Sequence, residues 1–161
     1  YVVLERLAQS GCIKKENILV DFGCGKGRVD FYFSAKVGCY TIGVDFDLRM
    51  ILKAEENRRS FSGKNRPDFV CTPAEKYDVE VSDRFYFFNP FSVKILKTVL
   101  KKIEKSMYIY PRDIKLFFYY PDDEYVAYLM TNKNLMFVDE IECDDLFEGE
   151  NKRERILVFQ M

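Results

Sequence analysis

Glycine falls at every second position of Asp21-Phe22-Gly23-Cys24-Gly25-Lys26-Gly27, directly after the apolar run Ile18-Leu19-Val20. An apolar run that ends in an acid and passes into alternating glycines reads as a strand, a sharp turn and a helix start. Such a turn presents bare backbone amides to a ligand at the N-terminus of the following helix. Side chains at Gly23, Gly25 or Gly27 are expected to fill the space that ligand needs. About twenty residues on, where folds of this kind read a ribose, Thr41-Ile42-Gly43-Val44-Asp45 repeats the strand-then-acid pattern. Together the two segments point to a nucleotide-like cofactor.

The spacing narrows the choice of cofactor. The dinucleotide fingerprint is G-x-G-x-x-G, and its third glycine lets helix pack closely on strand. Counted from Gly23, that position holds Arg28, a long charged side chain unsuited to the role. A phosphate loop fails as well, because Lys26 has the wrong spacing and no Ser or Thr follows it. The pattern D-x-G-x-G-x-G resembles the first motif of class I S-adenosylmethionine-dependent methyltransferases. Gly43-Val44-Asp45 is similar to the acid-ended second strand of that family, and Phe87-Phe88-Asn89-Pro90-Phe91 to the Asn-Pro motif of its amino-group methyltransferases. The three motifs occur in the family's order and separation.

That resemblance implies S-adenosylmethionine as cofactor, with Asp21 and the turn Gly23, Gly25, Gly27 at its methionine end and Asp45 on the ribose hydroxyls. The adenine would be met after strand three, at Cys71-Thr72-Pro73-Ala74-Glu75, where many relatives carry an acid directly before the alanine. Here Pro73 stands there and donates no backbone hydrogen bond, so Glu75 or the Ala74 amide takes its place. Asn89 and Pro90 would orient an acceptor nitrogen, Asn89 would also contact the cofactor, and Phe91 would stack on a flat substrate. Each assignment has a plainer rival. Asp21 can also be read as a cap for the turn's amides, Asp45 as a helix cap, Cys24 as a space-filler, and Asn-Pro with Ser92 as a strand-to-helix turn.

Elsewhere the chain alternates. A helix over Tyr1–Ser10 stops at Gly11, and the abrupt start leads us to expect residues upstream of Tyr1. Strands are expected at Asn17–Phe22, Tyr40–Asp45, Asp68–Cys71, Arg84–Phe88 and Lys115–Tyr120. Helices fall between them at Gly27–Val37, Asp47–Ser60 and Val93–Lys105, and a further one follows at Asp123–Thr131. Leu135–Cys143 and Arg155–Phe159, joined by an acidic loop, make an antiparallel hairpin. The fold class is therefore α/β: a doubly wound, mostly parallel seven-stranded sheet with helices on both faces and a C-terminal antiparallel hairpin, as one domain over 1–161. Asp21, Asp45, Asn89 and Tyr120 fall at strand C-termini, where such sheets bind ligands.

Composition sets limits on function. A net charge of −1 gives no global electrostatic case for nucleic acid. No apolar run is long enough to span a membrane. The five cysteines lack metal-ligand spacing and histidine is absent, so no metal site is expected and a cytoplasmic setting is the simple reading. Any general base must come from Asp, Glu, Lys, Tyr or Cys, or from water. The expected function is methyl transfer to an amino nitrogen of a small molecule or protein side chain. The alternatives are a nucleobase amino group as acceptor, or a module that binds the cofactor without turnover. A nicotinamide-dependent oxidoreductase is disfavoured by Arg28.

Overall fold

The computed structural model describes residues 1–161. Five strands, β1 (Ile18–Phe22), β2 (Tyr40–Asp45), β3 (Asp68–Cys71), β4 (Arg84–Phe87) and β5 (Lys115–Tyr119), alternate with helices α2 (Arg28–Lys36), α3 (Leu48–Arg59) and α4 (Val93–Ile109). Helix α1 (Val2–Gln9) precedes them, and α5 (Asp123–Thr131), β6 (Met136–Glu142) and β7 (Arg155–Gln160) follow. The sheet runs β3-β2-β1-β4-β5-β7-β6, parallel from β3 to β5, with β7 antiparallel to both neighbours. The hairpin thus folds back so that its second strand, not its first, docks on β5. Strand order reverses between β1 and β4, which opens a crevice beyond their carboxyl ends.

Local chemistry accounts for most boundaries. Asp47, Ser92 and Asp122 are N-caps whose side chains accept from the amides of Arg49, Ile95 and Tyr125. Helix α4 continues past the expected Lys105 to Ile109 and stops only before Pro111, which disfavours helical geometry in the preceding residue. Strands β4 and β5 each end one residue early because Asn89 and Tyr120 turn into left-handed backbone, with φ of 40° and 51°.

Two apolar layers hold the sheet. On one face α4 and α5 cover Phe22, Phe85, Phe87 and Phe118, and on the other α1 and α2 cover Leu19, Tyr86 and Phe117. Phe87 is the hub of the first layer, stacked 5.4 Å from Phe22 and 4.6 Å from Phe118. All of β4 is buried, as its unbroken aromatic run requires. Arg84 is tolerated there because its guanidinium donates to the Cys12, Asp83 and Asp113 carbonyls and to the Asp113 carboxylate. No helix is long and apolar enough to cross a membrane.

Candidate functional site

At the crevice between β1 and β4 lies a cavity of about 460 Å³, within the range of small-molecule sites. Gly23, Asp45, Phe46, Pro73, Glu75, Pro90, Phe91 and Ile95 are among the residues that line it. The strand order brings these together: the turn after β1, the end of β2, the loop after β3 and the segment after β4 all open on one side of the sheet. Ile95, in the first turn of α4, is only half-buried and forms part of this wall.

Each glycine of the turn adopts left-handed backbone, with φ of 78°, 55° and 82° at Gly23, Gly25 and Gly27. Their reasons differ, and this corrects the expectation of ligand space at all three. A Cβ at Gly23 would stand 2.6 Å from the Pro90 Cβ, and one at Gly27 2.5 Å from the Phe69 ring. Protein, not ligand, excludes a side chain at both places. Only Gly25 faces open space. Arg28 lies outside on the surface with its guanidinium 5.5 Å from the centre of the Tyr1 ring, so it does not intrude between helix and strand.

Asp45 holds the turn to β2. Its Oδ2 accepts from the Gly25 amide at 3.0 Å and its Oδ1 from the Asp47 amide at 2.9 Å. Asp47 itself caps α3, so Asp45 is not the helix cap. Glu75, in a 3₁₀ turn over Ala74–Lys76, lines the cavity beside Pro73.

Asp21 sits differently from the expectation. It is buried in β1, away from the cavity lining, and faces Asp30 of α2. Asp30 is fully buried, and neither of its oxygens receives a donor from elsewhere in the chain. Burial raises both carboxyls above their ordinary range; Asp21's charge raises Asp30 further, and Asp45's adds to Asp21. Two adjoining buried carboxyls without a cation resist being ionised together, so both are held in the protonated direction. Sequence reading missed Asp30. The available signal was its spacing with Phe33 and Ser34, which puts an acid on the buried stripe of α2. Cys24, beside this pair, is buried, and desolvation pushes its thiol up, so it supplies no thiolate at neutral pH.

The segment after β4 is tied across the crevice. Asn89 Nδ2 donates to the Tyr120 carbonyl at 2.6 Å, and Asn89 Oδ1 accepts from the Asp122 amide at 3.3 Å. The Asn89 side chain therefore faces the β5–α5 connection and is absent from the cavity lining. Phe91 lies in the cavity wall, edge-on to Phe22 and Phe87, with its carbonyl accepting from the Tyr125 hydroxyl. Tyr120 stays outside the cavity, packed near Phe88.

A mixed sheet of this order, with a glycine turn after β1, an acid ending β2 and a cavity at the switch point, defines a class I S-adenosylmethionine-dependent methyltransferase. The chain belongs to the methyltransferase domain family, whose model matches residues 20–101. No curated protein matches its sequence. Among solved structures, a SAM-dependent methyltransferase from Aquifex aeolicus is 14% identical, with a TM-score of 0.72 over 98% of this chain and 88% of that one. Magnesium protoporphyrin IX methyltransferase from Synechocystis PCC 6803, with bound SAM, is 13% identical with a TM-score of 0.66 over 99% and 75%. An rRNA methylase from Streptococcus thermophilus is 16% identical with a TM-score of 0.62 over 99% and 93%. At these identities the likeness is one of fold.

S-adenosylmethionine is the cofactor of this class, and the residues present fit it. Asp45 presents a carboxylate to the cavity, and Pro73, Ala74, Phe91 and Ile95 make part of its wall apolar, a lining compatible with a ligand that carries hydroxyls and a flat base.

Proposed function

We propose that the chain transfers a methyl group from S-adenosylmethionine to an amino nitrogen of a small molecule or protein side chain. The observation that carries this reading is the meeting of Gly23 and Pro90, where the cofactor turn and the Asn-Pro segment form one wall. A nitrogen held by that segment stands next to the methionine end of the cavity.

When bound, the cofactor supplies an electrophilic methyl on a cationic sulfur. The protein's task is then mainly positioning, because aligned reactants gain most of their rate from lost motion. Asp45 and the Gly23–Gly27 backbone hold one reactant, and Glu75 with the Ala74 amide reads the base. Pro90 fixes the direction of the segment that meets the acceptor. Asn89 acts as a positioning residue, since its amide locks the β4–α4 and β5–α5 connections together. With no histidine in the chain, the acceptor's proton leaves to water or a carboxylate.

A thermal-shift comparison of S-adenosylmethionine, S-adenosylhomocysteine and NAD tests this. Ligand at a hundredfold over its dissociation constant stabilises by about 2.7 kcal/mol. Stabilisation by both sulfur compounds and not by NAD is expected, and stabilisation by NAD alone would overturn the reading. A second reading, cofactor binding without turnover, draws support from the engaged Asn89 amide. Absence of S-adenosylhomocysteine production across a broad amine panel would favour it.

A further inference from the structure

Where β4 and β5 end, the sheet leaves aromatic rings uncovered. Phe88 is 56% exposed, and its ring centre lies 4.7 Å from that of Tyr119 and 6.4 Å from that of Tyr120, with the two tyrosines 6.1 Å apart. Register explains the grouping. Phe87 pairs with Phe118, so the next residues, Phe88 and Tyr119, stand side by side. Alternation turns both toward the face of Tyr86 and Phe117.

The backbone is bent to form this cluster. Left-handed geometry costs roughly 1–2 kcal/mol at residues other than glycine, and it persists where surroundings over-determine it, commonly at functional sites. Asn89 and Tyr120 both adopt it, and the Asn89 amide joins them. The Tyr120 amide donates to the Arg155 carbonyl at 2.9 Å. The Tyr119 hydroxyl donates to Glu154 at 2.6 Å, and Asn151 Nδ2 donates to the Tyr120 hydroxyl at 3.1 Å. Both tyrosine tips are thereby occupied by the β6–β7 loop.

We propose that Phe88, Tyr119 and Tyr120 form the acceptor platform of the methyltransferase site, and that the acceptor is a free heteroaromatic amine without net negative charge. The proposal rests on the methyl-transfer reading and names the substrate class for it. Phe88 immediately precedes Asn89-Pro90, and Pro90 walls the cofactor cavity beside Gly23, so the cluster stands two residues along the chain from that wall. Offset stacking on such rings favours a flat partner over an aliphatic chain. Charge decides against polyanions. Asp122, Asp123 and Glu124 follow Tyr120, and the loop that touches the tyrosines carries Glu148, Glu150 and Glu154 against Lys152 and Arg153. In the transfer, the nitrogen lone pair forms the N–CH₃ bond as the S–CH₃ bond breaks. The sulfur keeps that electron pair, and the nitrogen's proton goes to water.

The test titrates three probes calorimetrically against the chain saturated with S-adenosylhomocysteine: 6-aminoquinoline, n-butylamine and a single-stranded oligonucleotide. We expect 6-aminoquinoline to bind best, and Phe88→Ala to weaken it about tenfold or more while leaving affinity for S-adenosylhomocysteine unchanged. Tyr119→Phe, which keeps the ring, should retain it. Equal binding by Phe88→Ala overturns the platform, as does preference for butylamine or the oligonucleotide, or no binding of aminoquinoline by a chain that binds S-adenosylhomocysteine. A chain that does not bind S-adenosylhomocysteine overturns the methyltransferase reading itself, and the platform with it.

Discussion

The glycines at 23 and 25 have the same backbone handedness but opposite surroundings, and single substitutions should separate them. Gly25→Ala places a methyl group in open space, so its folding cost is only the left-handed penalty of roughly 1–2 kcal/mol. Gly23→Ala adds to that strain a collision with Pro90, where ring and backbone have little freedom to retreat. The expected outcome is a mild drop in melting temperature for Gly25→Ala with loss of S-adenosylhomocysteine binding, and a larger drop for Gly23→Ala. Unchanged binding by Gly25→Ala, measured by calorimetry, would show that the open space there is not cofactor space. Gly23 thus serves architecture as much as ligand, a distinction invisible in the motif.

Between elements, the Asn89 side chain is a strap joining the ends of β4 and β5 to the start of α5. Truncation to Asn89→Ala removes both hydrogen bonds and should cost about 1–2 kcal/mol, read from a urea midpoint at constant slope. Affinity for S-adenosylhomocysteine should hold within twofold, because Asn89 does not line the cavity, whereas turnover on any identified acceptor should fall. A large loss of cofactor affinity would restore Asn89 to the direct contact that the motif implies. The element boundaries themselves were largely readable, since caps and apolar periodicity act within a turn or two of chain. The exceptions are instructive: α4 runs on to Pro111, and β4 and β5 stop short where Asn89 and Tyr120 bend.

For the molecule as a whole, the Asp21–Asp30 pair ties stability to pH. Both carboxyls are raised in the folded chain above the ordinary range near 4 that they have when unfolded. The native state therefore binds more protons than the unfolded state above that pH. The pair's stabilising contribution is full below about pH 4 and declines as pH rises through the folded values. Asp30→Asn removes one of the two ionisations, so it should flatten the decline and raise the melting temperature at pH 8. A pH–stability curve identical to the parent's would mean that the pair does not carry this pH dependence.

The order of strands and helices, the caps at Asp47, Ser92 and Asp122, and the glycine turn with its acids were set by the sequence alone, because each depends on interactions within a few residues. The methyl donor was readable for the same reason: its turn is a local motif. Only the tertiary structure decided that β7 enters between β5 and β6, that Asp21 meets Asp30 rather than the cavity, and that Asn89 reaches Tyr120. It also set Phe88 beside Tyr119 and Gly23 against Pro90. These contacts depend on which strands become neighbours and on the direction each side chain takes across the sheet, and no local pattern carries that information.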